Sequence, residues 1–224
     1  MQATSISFRA YALDLWGFGD TSKNPGYYSV AQQIGLLDEF IETLGIGKIA
    51  LVGHGLGAVI ALLYAARHPE AVDRLMVIGL PQAESSINPR LHLNTPAELA
   101  DWLLGRSSVT EAAYADAPKA DPKAILLSLT SLQGVDLENL LSANSTPCLF
   151  VHGGNDPAIE APDLSHLAAM PETAHFILFD GSGHFPMLDE PAKFNRLLAD
   201  FLSLMPGESP RQLQLKEEWR RRVR

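Results

Sequence analysis

The chain has 224 residues and a formal charge of −9, from 17 Lys plus Arg against 26 Asp plus Glu, a balance that repels phosphate backbones and leaves nucleic acid a poor partner. Apolar residues make up 46% and charged residues 19%, ample core material for one folded domain and a composition that excludes general disorder. No segment reaches the ~18 apolar residues of a membrane span, and the N-terminus has neither a basic start nor a long apolar run, so a cytoplasmic protein is expected.

In chain order, residues 8–15 form a short apolar run ending in Asp14-Leu15-Trp16-Gly17-Phe18-Gly19-Asp20, which reads as a strand discharging into a glycine-rich loop. Residues 29–44 place Val30, Ile34, Leu37, Phe40, Ile41 and Leu44 at three- and four-residue spacing, with Gly45 as a stop, and predict an amphipathic helix. Residues 48–53 form a compact apolar strand, a tight turn leads into an apolar helix over 57–67, and residues 75–80 make the next strand. Strands alternating with helices through short connections predict a parallel sheet.

That alternation breaks over residues 81–145, where helices are predicted at 96–104, 108–115 and 122–132, outside the sheet. It resumes with a strand at 147–151, a helix near 162–170, a strand at 175–179 and an amphipathic helix over 190–205. Cys148 is the only cysteine, so no internal disulfide can form, and its apolar neighbours predict a buried thiol. Residues 211–224 hold six basic and two acidic side chains and read as a solvated, frayed tail, although Leu215, Trp219 and Val223 would share one face of a helix.

Three glycine-rich turns carry the chemistry. Gly53-His54-Gly55-Leu56-Gly57 lies between a strand and a helix; Val151-His152-Gly153-Gly154-Asn155-Asp156-Pro157 closes a later strand; Gly181-Ser182-Gly183-His184-Phe185-Pro186 forms a loop. The first resembles the G-x-S-x-G nucleophile elbow of the α/β-hydrolases, and the order elbow, acid, histidine matches that superfamily. The loop from Asp14 resembles the D-x-x-G-x-G loop that often follows an earlier strand there. The resemblance runs from about Tyr11 to about Leu204 and implies an α/β-hydrolase fold lacking its first strands: a mostly parallel sheet with flanking helices and a helical cap insertion.

The resemblance places Asp156 and His184 at the acid and histidine positions, Gly55 at the nucleophile position and the Leu56 N–H in the oxyanion hole. It also implies sharp packing at Gly53 and Gly57, with His54 packed beside the elbow. At Gly55 the nucleophile itself is absent. His and Asp activate a serine hydroxyl, so without it the pair has nothing on the enzyme to deprotonate. Three strands, a helix and a second oxyanion donor precede the matching region in the family, on the order of fifty residues, which suggests a late start within a longer ancestor or a shortened protein that self-associates along the unfilled sheet edge.

The expected division is a core over 1–80, a cap over 81–145, a core over 146–205 and a basic tail over 206–224. The leading reading is an impaired or inactive hydrolase homologue that binds a small apolar ligand or a protein. The alternatives are slow hydrolysis by a water that His184 activates, a hydrolase inactivated at one residue, and a pocket-free interaction module that self-associates along an exposed sheet edge. Cap residues Trp102, Leu103 and Leu104 hint at an apolar lining. No phosphate loop, metal-ligand cluster or dinucleotide fingerprint occurs, so no cofactor is expected.

Overall fold

The computed structural model describes residues 8–168, 170–205 and 208–215. Strands β1 (Ile49–His54), β2 (Val72–Ile78), β3 (Cys148–Gly153) and β4 (Ala174–Phe179) form one sheet in that order. All three neighbouring pairs are parallel, and each crossover carries helix, as parallel pairing requires. Helix α1 (Val30–Thr43) precedes β1, and the Ser29 hydroxyl caps it by accepting from the Gln32 N–H. Helix α2 (Leu56–Arg67) leaves β1 directly.

Between β2 and β3 the described chain forms α3 (Arg90–Leu93), α4 (Pro96–Leu103), α5 (Glu111–Asp116), α6 (Pro122–Thr130) and α7 (Leu137–Ser142). Thr95 and Glu98 close a capping box at the start of α4. Helix α8 (Leu164–Ala168) follows β3, and α9 (Pro186–Asp189) and α10 (Pro191–Leu202) follow β4.

The two-residue period of the strands sorts their side chains into two cores. Leu75, Val77, Cys148, Phe150 and Ala174 join Ile34, Ile41 and Leu62 from α1 and α2. Met76, Ile78, Leu149, Val151, Ile177 and Phe179 join Phe194, Leu197 and Phe201 from α10. With apolar partners on both faces, β3 is buried at every position. Cys148 is the buried thiol the sequence predicts, and desolvation pushes its pKa up to about 12. At the sheet edge β1 alternates in burial and leaves Val52 half-exposed.

Residues 8–15 do not form the expected strand, so among the described residues the sheet has four strands rather than five. A strand exists only with a ladder partner, and β1 pairs with β2 alone. The apolar residues pack instead: Tyr11 meets Phe40 edge to face at 6.0 Å, and Leu15 lies against the first core. The loop that follows is built as a structural turn, with the Asp14 carboxylate accepting from the Asp20 N–H at 3.1 Å. The buried Gln33 amide exchanges hydrogen bonds with both backbone groups of Trp16, at 2.8 and 3.0 Å, and ties this loop to α1.

Within the expected tail, the described residues 211–213 are docked rather than frayed. The Arg211 guanidinium donates to the backbone carbonyls of Met170, Pro171 and Ala174, His175 Nε2 donates to the Leu213 carbonyl, and Leu213 is buried in the second core. Trp219 and Val223, expected to share a helical face with Leu215, lie outside the described residues.

Phe150 is fully buried at the centre of the sheet. Phe150→Ala is expected to destabilise the fold by about 3–5 kcal/mol in urea denaturation; a loss under about 1 kcal/mol would contradict the core described.

Candidate active site

Strand β1 ends at His54 and α2 begins at Leu56, so one residue turns the chain from sheet into helix. Gly55 does this with φ 54° and ψ −117°, a conformation that costs a residue with a side chain on the order of 1–3 kcal/mol. Its N–H donates to the Ile78 carbonyl at 2.9 Å, and its carbonyl accepts from Ala58 and Val59. The turn is therefore held from both sides, by β2 and by α2. A Cβ at Gly53 would overlap the Gly57 carbonyl, whereas one at Gly57 would meet open space. Only the first outer glycine is needed for close approach, which corrects the expectation for Gly57.

The structure brings the three expected positions together. His184 Nδ1 donates to Asp156 Oδ2 at 2.9 Å, and the two side chains are 8% and 1% exposed. The other Asp156 oxygen accepts from the Ala158 and Ile159 amides at 2.8 and 3.2 Å. Burial works to raise the Asp156 pKa, but the hydrogen bond and charge of His184 and these amides outweigh it and hold the carboxyl below its usual value. The histidine loop is anchored in turn: Asn155 N–H donates to the Ser182 carbonyl, Ser182 Oγ to Glu190 and the Gly183 N–H to Asp189. A Cβ built on Gly55 would have His184 Nε2 as its nearest neighbour, 4.0 Å away. A side chain at position 55 would thus project into open space beside the His184 ring.

Above the turn lies a cavity of about 420 Å³. Helices α3 to α6 contribute Leu91, Leu99, Leu103, Ala113, Ile125 and Leu129 to its wall, and Phe18 and Phe185 complete it from the core. Among the described residues, His54 and His184 are the lining residues with polar side chains. Of the cap residues singled out from sequence, Leu103 and Leu104 line the cavity. Trp102 instead packs on the Ile87, Ala158 and Ile159 cluster beneath Arg90. A smaller space of about 270 Å³ bounded by Gln82, His92 and Glu138 contains none of the expected catalytic residues. Among the described residues no group of three or more His, Cys, Asp or Glu side chains is arranged to hold a metal ion.

Two further histidines adjoin the pair. His54 Nε2 lies 2.8 Å from the His184 carbonyl, so it carries the hydrogen and donates, and its ring contacts those of His184 and Phe185. His152 is buried, its Nδ1 has no partner among the described residues, and desolvation lowers its pKa. The sequence places His54 beside the elbow, but its hydrogen bond to the His184 carbonyl and the burial of His152 depend on long-range packing. Desolvation first, then the charge of His184, lowers the His54 pKa from 6.5 to about 3. The folded value lies below the unfolded one, so the unfolded chain gains a proton first as pH falls. The stability linked to His54 is full above pH 6.5 and is lost progressively toward pH 3. His54→Gln is expected to lose about 2 kcal/mol less than the parent chain between pH 7 and pH 5 in urea denaturation, and equal losses would contradict a neutral buried His54.

Comparison with known proteins identifies the family and the fold. Residues 2–197 match the model of the alpha/beta hydrolase family. The chain is 28% identical to the pimeloyl-[acyl-carrier protein] methyl ester esterase of Vibrio cholerae, over 89% of this chain and 86% of that one. Its fold superposes on a serine-to-alanine variant of the meta-cleavage product hydrolase of Pseudomonas fluorescens with TM-score 0.75 at 22% identity, covering 90% and 82% of the two chains. It also superposes on a serine-to-glycine variant of the N-acyl homoserine lactonase AidH, solved with N-hexanoyl homoserine lactone, with TM-score 0.67 at 22% identity, covering 84% and 77%. The chain belongs to the alpha/beta hydrolase family.

Proposed function

We propose that this chain binds a small, mainly apolar molecule in the cavity over Gly55 and His184, and that it is impaired as a serine hydrolase. The observation that carries the reading is the pairing of an ordered His184–Asp156 hydrogen bond with a residue of no side chain at the point the imidazole addresses. Helices α3 to α6 act as a cap that supplies the apolar wall, and the Leu56 N–H, first in α2, is the amide offered to a ligand oxygen. The serine-to-glycine lactonase structure with its lactone supports the idea that a glycine variant of this fold keeps ligand binding. Loss of the nucleophile in a serine hydrolase lowers turnover by roughly 10⁶-fold. The presence of the cavity argues against a pocket-free interaction module.

One observation favours a second reading, slow hydrolysis by direct attack of water. The open space beside Nε2 is large enough for a hydroxyl-sized group, and Asp156 orients the ring to accept a proton from it.

Hydrolysis of a p-nitrophenyl ester separates the readings. The unmodified chain is expected to match His184→Ala, while Gly55→Ser is expected to exceed both by roughly 100-fold or more and to lose about 1–3 kcal/mol of stability through the strained turn. Turnover by the unmodified chain that disappears in His184→Ala would replace the first reading with the second.

A further inference from the structure

We propose that the smaller space, of about 270 Å³, is a second binding site and takes a small protonated amine on an apolar stem. It lies between the chain that leaves β2, from Gln82 to Ile87, and the turn that joins α6 to α7. Among the described residues it shares only Leu129 with the cavity over Gly55, and it holds neither Asp156 nor His184. The inference is therefore independent of the reading of that cavity.

Gln82 points to a ligand. It lines the space yet is only 8% exposed. Its side-chain nitrogen donates to the Leu80 carbonyl at 3.3 Å, and because a carbonyl only accepts, the amide atom facing it is the nitrogen. The amide oxygen is left over. It accepts from no described group and is not sealed inside the protein, so it opens onto the space. An acceptor held so far from bulk water without a donor is unfavourable, and an N–H of a ligand relieves it.

Charge supplies an independent pointer to the kind of donor. Glu84, Asp136 and Glu138 border the space, and among the described residues no Lys or Arg lines it. Asp136 spends one oxygen on the Asn139 N–H at the start of α7 and keeps the other, while Glu138 lies 3.6 Å from His166 Nε2. Such a rim repels an anion and attracts a cation. A metal ion is not the cation it fits, because among the described residues no group of three or more His, Cys, Asp or Glu side chains is arranged to hold one. An ammonium group has three N–H donors and no acceptor, so one hydrogen meets the Gln82 oxygen while the others face the rim. Ile87, Leu132 and Leu137, at 8%, 9% and 5% exposed, give the stem an apolar floor. The volume suits a stem of about one ring rather than a long chain.

Amide NMR titration of the full chain at about pH 7 with benzylamine, benzyl alcohol and benzoate tests this. Benzylamine is expected to shift the backbone amides of Ala83, Gly134 and Glu138 and to bind about tenfold tighter there than benzyl alcohol, while benzoate leaves them unmoved. The rim carboxylates are exposed and screened, so Glu84→Gln with Glu138→Gln, two surface changes, should weaken benzylamine about threefold or more and leave benzyl alcohol unchanged. Gln82→Met should remove most of the preference for the amine. Equal affinity for amine and alcohol, benzylamine shifts confined to Gly55 and Leu56, or unchanged benzylamine affinity in the double variant would overturn the proposal. Each of those results would leave the reading of the cavity over Gly55 as it stands.

Discussion

The backbone reversal at Gly55 is the constraint around which the site is organised. Its N–H is fixed by β2 and its carbonyl by the first turn of α2, so the residue at position 55 has no freedom to relax. A side chain there must accept a left-handed backbone, and whatever it carries is delivered to the mouth of the cavity beside His184 Nε2. In a hydrolase of this fold that delivery is the reason to tolerate strain. Glycine at position 55 takes this path without the strain a side chain would bring, and the space beside His184 Nε2 is open.

The rest of the site is held in place by buried hydrogen bonds. Asp156 receives three hydrogen bonds and is almost fully buried, which places a carboxylate behind the imidazole in a region of low dielectric where its influence is strong. His54, neutral through burial, ties the His184 backbone to the end of β1, so the strand, the elbow and the histidine loop behave as one unit. Such preorganisation serves binding as well as catalysis, because the ligand meets groups already in place.

Much of this arrangement was legible in the sequence, because glycine-rich turns at the ends of apolar strands announce themselves locally. Such turns marked the places, and the resemblance to the α/β-hydrolases, with its chain order, assigned Gly55, Asp156 and His184 to them. What failed depended on long-range partners. Residues 8–15 have strand composition, but a strand is made by its neighbour, and none of the described strands pairs with them. Leu103 and Trp102 are adjacent on one short amphipathic helix and both pack on the Ile87, Ala158 and Ile159 cluster, and only packing decides that Leu103 also lines the cavity while Trp102 does not. Arg211 stood in a basic run that reads as solvated. Its guanidinium proves to be a clamp on three backbone carbonyls that its own sequence neighbourhood does not reveal.

The central claim is that this scaffold transfers an acyl group only through an oxygen on the residue that joins β1 to α2. Intact-mass analysis after incubation with a fluorophosphonate addresses it directly. The unmodified chain should keep its mass while Gly55→Ser gains one phosphonyl group. A stable adduct on the unmodified chain, mapped to a residue lining the cavity, would contradict the claim.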